Sequence, residues 1–183
     1  MLIFMNPVYE VLYLIIFTGL VAVAYSYFLS SQILSSSPGN SKMQDIASAI
    51  QIGAKAYLKR QYTTIAIVGL IVLAIVIYFF SPLVGLGYFI GATLSGAAGY
   101  IGMLISVKAN VRTAEASRKS HQAGLTMAFK SGAITGLLVA GLALLAIAIY
   151  YFILLELNVE KREIIDALVA LGFGASLISI FAR

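Results

Sequence analysis

The chain has 183 residues, of which 61% are hydrophobic and only 10% are charged. A soluble domain carries about 25% charged residues, so water is not the solvent for most of this chain. The absence of cysteine excludes disulfides, thiolate catalysis and iron–sulfur clusters, and the net charge of +5 is distributed between long apolar runs, which argues against a nucleic-acid-binding face.

Long stretches without charge mark the predicted membrane spans, because a helix needs about 20 apolar residues to cross about 30 Å of hydrocarbon. The first stretch, between Glu10 and Lys42, lacks the basic start of a cleavable signal and is expected to stay in the membrane. The uncharged interval 61–107 is about twice the necessary length and breaks at Ser81-Pro82, which predicts a helical hairpin. The five predicted spans are approximately residues 8–34, 62–80, 83–107, 131–155 and 164–183.

Two polar segments, residues 35–61 and 108–130, separate these spans and are expected to be cytoplasmic loops. They contain nine of the twelve lysines and arginines, whereas the opposite side has only two, beside several acids. Because short loops rich in these residues stay in the cytoplasm, the N-terminus is predicted to lie outside. A helix is expected to restart in the first loop, where Ser41 and Gln44 have the spacing of a capping box. The predicted fold class is all-α, a polytopic transmembrane helix bundle with five spans in the cell membrane.

Glycine and serine recur four residues apart in several of the spans. The run GLGYFIGATLSGAAGYIGM is not a dinucleotide-binding loop, because its neighbours are apolar spans and not the strands of a βαβ unit. Small residues at this spacing let membrane helices approach closely, although membrane helices also use glycine more often in general. The pairs expected to form helix contacts are Gly87 with Gly91, Ser95 with Gly99, and Gly132 with Gly136.

His121 is the only histidine of the chain and falls in the second polar segment. A metal site there would lack its other ligands, because no cysteine or acidic cluster lies beside it. We expect a solvated histidine and no metal site. The basic residues of the same segment are expected to act as a topology signal.

Arg183 is the candidate functional residue. It lies 17 residues after Asp166, about 25 Å along a helix, so an Asp166 at the outer surface leaves the arginine within about 30 Å of hydrocarbon. A charged residue at that depth marks an ion or substrate path and needs an acidic partner, and no carboxylate in the five spans can serve as that partner. Alternatively, the long side chain of Arg183 snorkels to the inner surface. The residues alone leave both interpretations open.

Four segments resemble the N-terminal part of the membrane-bound, ion-translocating inorganic pyrophosphatases, in the family's order and spacing. The resemblance covers spans two to five, and the polar strings AYLKRQY and KANVRTAEA are its most specific parts. The four segments are IQIGAKAYLKRQYTTIA, GAAGYIGMLISVKANVRTAEA, MAFKSGAITG and LGFGASLISIFAR.

This resemblance implies a homodimeric ion pump that contains about sixteen spans per subunit. Such pumps hydrolyse magnesium pyrophosphate at a cytoplasmic funnel and move protons or sodium ions outward. It further implies that Arg183, the arginine of the FAR motif, lies at the top of the ion channel near an acidic residue of another helix. Its fixed positive charge would then tune that carboxylate.

The family's lysine and aspartates that hold pyrophosphate and Mg²⁺ come after the FAR motif, beyond this sequence. The two acids on the cytoplasmic side, Asp45 and Glu115, stand alone in separate segments, whereas Mg²⁺ needs convergent oxygen ligands. We therefore expect no catalytic, cofactor-binding or metal-binding residue here, and an N-terminal fragment that is inactive alone. The alternative is a non-enzymatic five-helix scaffold that assembles through its glycine faces. The choice between protons and sodium, and any dependence on potassium, cannot be predicted from these residues.

Overall fold

A computed structural model describes residues 7–181, and its regular elements over this range are all α-helices. The all-α class expected from the sequence is confirmed. The helices are α1 (Pro7–Leu34), α2 (Ser41–Phe79), α3 (Pro82–Lys119), α4 (His121–Glu156) and α5 (Lys161–Phe181).

Short turns with serine caps separate the middle helices. The side chain of Ser81 accepts a hydrogen bond from the backbone N–H of Val84, at 3.3 Å, and Pro82 begins α3. Ser120 alone separates α3 from α4 and caps α4 in the same way. A serine N-cap satisfies one of the free N–H groups at a helix start, and proline has no N–H to leave unpaired there. The hairpin break predicted at Ser81-Pro82 is therefore confirmed.

Helices α1 to α4 are long and apolar enough to cross a membrane. α2, α3 and α4 contain 39, 38 and 36 residues, so each is about 54–59 Å long and extends well beyond about 30 Å of hydrocarbon. Large apolar side chains also lie exposed on the outer faces, including Leu14 (65%), Phe17 (64%) and Tyr78 (82%). Exposed apolar surface of this extent is expected where lipid is the solvent. The chain is a multi-pass membrane protein.

The helix restart expected in the first polar segment is confirmed, and both polar segments are mostly helical. α2 already begins at Ser41 and α3 continues to Lys119, so the irregular connections shrink to residues 35–40 and Ser120. These polar segments are rich in Ala, Lys, Gln and Arg, which are strong helix formers, so a helix that leaves the hydrocarbon has no reason to end there. The limits of the spans within these long helices stay predictions.

The first turn of α2 is capped one residue earlier than expected. The predicted capping box of Ser41 and Gln44 is wrong, because Asn40 is the N-cap and its side chain accepts from the backbone N–H of Met43 at 3.0 Å. The Gln44 side chain donates instead to the carbonyl of Gly39, at 2.8 Å. Gly39 has a φ of +83°, which glycine adopts without the steric cost of a side chain.

Contacts at the helix ends show that the helices alternate in direction. Near the end of α3, Arg112 donates to the carbonyl of Leu34, the last residue of α1, at 2.9 Å. At the opposite end, Ser81 at the start of α3 donates to Glu163 in the first turn of α5, at 2.6 Å, and Tyr150 from the end of α4 reaches the first turn of α3. Helices α1, α3 and α5 therefore run one way and α4 the other. The segments that contain most basic residues share one end of the bundle, here called the basic end.

Two apolar clusters hold the bundle together. Helix α3 packs against α2, α4 and α5, and α1 packs mainly against α4. The larger cluster joins α3, α4 and α5 away from the basic end and consists of Val84, Tyr88, Ala146, Tyr150, Leu154, Ile164, Ala167, Ala170 and Leu171. The smaller joins α1, α3 and α4 near the basic end and consists of Leu29, Ile33, Ala109 and Ile134.

Candidate functional site

Arg183, the ion-pathway candidate of the sequence, lies outside the described residues. The structure does describe the helix that leads to it, α5, and the surfaces that position this helix. α5 packs more closely on α3 than on its other neighbours, α4 and α2. The contact between α3 and α5 is therefore what fixes the approach to the candidate residue.

Two glycines of α3 bring its backbone directly against that of α5. A Cβ atom added at Gly87 would lie 2.3 Å from the carbonyl oxygen of Ala167, and one added at Gly91 would lie 1.9 Å from that of Leu171. Both distances are far below ordinary van der Waals contact, so only glycine fits. The predicted helix contact of Gly87 with Gly91 is confirmed, and its partner is α5.

This contact between α3 and α5 continues by one more turn, and a glycine of α5 allows close approach from the other side. The hydroxyl of Ser95 donates to the carbonyl of Ala175, at 2.8 Å, so residues 87, 91 and 95 of α3 face residues 167, 171 and 175 of α5. A Cβ at Gly174 of α5 would in turn lie 2.3 Å from the carbonyl oxygen of Tyr88. In lipid, helix association depends on such close packing and on interhelical hydrogen bonds. We call this contact the α3–α5 seam.

Polar contacts fix the end of the seam that lies away from the basic end. Ser81 donates to Glu163 while its oxygen also accepts from the first turn of α3. The Tyr150 hydroxyl from α4 donates to the carbonyl of Leu83, at 2.5 Å, and the Tyr150 side chain is 2% exposed. Because the buried Tyr150 hydroxyl is satisfied by α3 and Ser81 joins α3 to α5, these bonds fix the relative positions of three helices.

The face of α5 that points away from α3 is open. Ile165 and Val169 are 59% and 66% exposed, Ser176 is exposed, and a Cβ added at Gly172 would meet nothing within 4 Å. These residues are spaced three and four apart, which places them on one side of the helix. Within residues 7–181, α5 is thus packed against α3 along one face and exposed along the other.

Helix contacts elsewhere differ from the predicted glycine pairs. A Cβ added at Gly132 or Gly136 would meet nothing within 4 Å among residues 7–181, so the prediction that this pair forms a helix contact is wrong for the described part of the chain. The crossing of α1 and α4 uses Gly19 and Gly141 instead, where an added Cβ would come within 3.1 Å of the partner backbone. Sequence reasoning missed this crossing because each helix supplies a single glycine without a small residue four positions away. Gly99 lines a groove between α3, α4 and α5.

Arg112 of the KANVRTAEA segment binds the end of α1. Its guanidinium donates to the carbonyls of Leu34 and Ser36, at 2.9 and 3.1 Å, and to that of Lys108 in its own helix, at 2.8 Å. The last carbonyls of a helix lack intrahelical partners and carry partial negative charge, which a guanidinium satisfies. From the sequence, the basic residues of this segment were expected to act as a topology signal. Nothing in the charge pattern distinguishes Arg112, which caps α1, from the other basic residues beside it.

The acidic and histidine side chains of the described residues are dispersed. Among residues 7–181 no three His, Cys, Asp or Glu residues group as metal ligands would. Asp45 lies on α2, and Glu115 on α3 is paired with Arg118 at 2.9 Å. His121 is the first residue of α4 and is exposed. These described residues do not fit a Mg²⁺ site.

Comparison with known proteins supports the family resemblance of the four segments quoted above. Residues 20–183 match the family described as Inorganic H+ pyrophosphatase. The chain is 44% identical over 167 residues to a K(+)-insensitive pyrophosphate-energized proton pump of Methanosarcina mazei. It is 37% identical over 166 residues to pump 2 of the same name from Moorella thermoacetica, and 34% identical over 188 residues to the pump from Chloroflexus aurantiacus.

Each of these alignments covers 90% of this chain but only 24% of the relative. The chain therefore spans about a quarter of the length of the curated relatives it matches. The family match extends over most of the sequence, from within α1 to the last residue. The chain belongs to the inorganic H+ pyrophosphatase family.

Proposed function

We propose that this chain forms the N-terminal helices of a pump that couples hydrolysis of inorganic pyrophosphate to proton translocation across the membrane. The observation that carries the proposal is the 44% identity over 90% of the chain to a relative named as a pyrophosphate-energized proton pump. The names of the relatives also include the words K(+)-insensitive, so we propose protons as the transported ion and no potassium requirement. Sodium is the alternative that the sequence left open.

In the proposed architecture α5 is a fifth span, within a subunit of about sixteen spans that forms homodimers in the cell membrane. The parallel register of α3 and α5 supports this placement, because α5 then crosses in the same direction as α3. The basic residues at one end of the bundle support a cytoplasmic position for that end and an N-terminus outside. The larger fold and the dimer follow from the resemblance to the family.

Arg183 is proposed to act in the ion pathway. The α3–α5 seam anchors one face of α5, and positions 172 and 176 on the open face precede position 183 by about three and about two helical turns. Extending this helical count beyond the described residues, we propose that the arginine belongs to the open face, where later helices of the complete subunit would pack. A guanidinium there would lower the pKa of a neighbouring carboxyl and so tune the release of a proton.

Hydrolysis is assigned to residues of the complete protein outside this chain. Binding of pyrophosphate with Mg²⁺ requires several oxygen ligands that converge on the ions, and Asp45 and Glu115 are on different helices. This supports the proposal that the chain alone hydrolyses nothing. A non-enzymatic scaffold that assembles through exposed small residues such as Gly132 is the competing function, and the comparisons do not favour it.

Reconstitution of the full-length protein in vesicles tests the proposal. Pyrophosphate added outside is expected to acidify the vesicle interior and release phosphate, equally well with and without K⁺, while the 183-residue chain alone releases no phosphate. Acidification should persist when Na⁺ is omitted. Sodium-dependent transport would contradict the assignment of the ion, and phosphate release without any ion movement would contradict the pump.

A further inference from the structure

Two adjoining grooves at the basic end share one ridge of α4. The first is polar, has a volume of about 630 Å³ and is lined by Arg112, Lys119 and Lys130 among others. The second is mainly apolar and has a volume of about 530 Å³. Gln122, Thr126 and Lys130 line both grooves, and their spacing of four residues places them along one line on α4. A molecule with a polar head and an apolar tail can therefore occupy both.

The polar groove is electropositive. Arg112 is engaged with backbone carbonyls, and Glu115, the acid among the described lining residues, is paired with Arg118. Within residues 7–181, Lys119 and Lys130 form no ion pair. The N-terminus of α4 lies between them in the chain and adds its own partial positive charge. The groove thus offers two unpaired ammonium groups to an anion.

The apolar groove opens toward the lipid. Tyr25 and Leu29 of α1 form one wall, and Leu125 and Phe129 of α4 form the other. Phe129 is 78% exposed and Leu125 57% exposed, although both are large and apolar. Lys130 directly precedes the predicted fourth span, so we place the ridge that the two grooves share at the level of lipid headgroups. Tyr25 and Leu29 lie within the predicted first span, so the α1 wall of the apolar groove faces the hydrocarbon. Basic and aromatic residues are common at this level of a membrane protein.

We propose that the two grooves bind one anionic phospholipid of the leaflet at the basic end. Its phosphate lies between Lys119 and Lys130, and one acyl chain follows the groove between Tyr25 and Phe129. The charge of the polar groove favours an anionic over a zwitterionic headgroup, and the continuous apolar groove favours a lipid over a soluble anion. This lipid site goes beyond the proposed pump function and does not depend on it.

Native mass spectrometry of the full-length protein, extracted from vesicles of phosphatidylcholine and phosphatidylglycerol, tests the site. We expect one phosphatidylglycerol to be retained in preference to phosphatidylcholine. The double variant Lys119→Gln/Lys130→Gln should retain it about 30-fold more weakly, which corresponds to about 1 kcal/mol for each lysine near a membrane surface. The control is Lys55→Gln/Lys59→Gln, which removes two exposed lysines of α2 that line neither groove, and it should leave retention unchanged.

The acyl-chain part of the site has its own test. A phosphatidylglycerol with a photoreactive acyl chain should crosslink to residues 25–29 and 125–133, and the exposed Phe129→Ala variant should reduce that crosslinking without changing the gel-filtration profile. Equal retention by the two lysine variants, or crosslinks confined to other faces, would overturn the proposal. Displacement of the lipid by the same concentration of inorganic phosphate would also overturn it, because the site would then bind soluble anions.

Discussion

The replacement of Gly91 by alanine tests the α3–α5 seam. The new methyl group would lie 1.9 Å from the carbonyl oxygen of Leu171, and ordinary contact begins at 3.4 Å. Both clashing groups are on helix backbones and no rotamer change relieves the clash, so the helices must part locally by about 1.5 Å. A gap of this size forfeits much of the dispersion attraction along the seam. It would also lengthen the nearby hydrogen bond from Ser95 to Ala175.

The expected cost of Gly91→Ala combines two effects. Overpacking at a rigid site destabilises by about 1–3 kcal/mol, and the loss of an intramolecular hydrogen bond adds about 1 kcal/mol. We expect a total of about 3 kcal/mol, which corresponds to a fall in Tm of about 6–12 °C for a chain of this size. Thermal unfolding in detergent, followed by the loss of monodisperse protein on gel filtration, measures this fall.

Gly132→Ala is the matched control for the seam. It introduces the same methyl group into a helix of the same bundle, at a position where nothing lies within 4 Å. Alanine is the better helix former by up to about 1 kcal/mol, so the Tm of this variant should stay equal or rise slightly. Equal Tm values for Gly91→Ala and Gly132→Ala would refute the claim that backbone contact at the seam holds α5 in place.

Two other parts of the bundle give further predictions. Arg112→Gln should destabilise by about 2 kcal/mol and speed hydrogen exchange in the last turn of α1, because several charge-assisted bonds to carbonyls are lost. Arg118→Gln should cost less than about 1 kcal/mol, because the Arg118 side chain is 59% exposed and its ion pair with Glu115 is therefore weak. Equal effects of the two substitutions would contradict the capping role of Arg112. Tyr150→Phe should lower stability by about 1 kcal/mol through loss of its buried hydrogen bond. Tyr88→Phe should not lower it, because the Tyr88 hydroxyl is buried without a hydrogen-bond partner among the described residues, and a lower Tm for Tyr88→Phe than for Tyr150→Phe would be the contrary result.

The helical class, the hairpin break and part of the α3–α5 seam could be predicted from the sequence because each has a local signal. The length of the apolar runs alone predicts membrane helices, and Ser81-Pro82 combines a cap with a residue that a helix accepts without a break only in its first turn. Gly87 and Gly91 have the spacing of a helix contact. The sequence did not identify α5 as the helix that packs against Gly87 and Gly91. The spacing of small residues indicates which face of a helix is packed, but it does not indicate which helix packs there.

The remaining features depend on which helices meet in space. Gly19 and Gly141 form a close crossing although neither belongs to a repeat of small residues, while Gly132 and Gly136 have the repeat and meet nothing. The role of Arg112 likewise depends on the end of α1 lying beside it. The helix restart in the first polar segment was predicted from its capping residues, whereas the helical continuation of the second segment was not, because charge marks the limit of a membrane span and carries no information on where a helix ends.

The central claim is that this chain contributes its fifth helix to the ion pathway of a pyrophosphate-driven pump. The most direct measurement is the number of protons moved per pyrophosphate hydrolysed by the full-length protein in vesicles, with Arg183→Ala compared with Arg162→Ala. Arg162 is on the same helix, and its side chain is 84% exposed, so its loss should leave the ratio unchanged. We predict that Arg183→Ala lowers the ratio because a channel carboxylate loses its counter-charge. An unchanged ratio in a stable Arg183→Ala protein would contradict the claim.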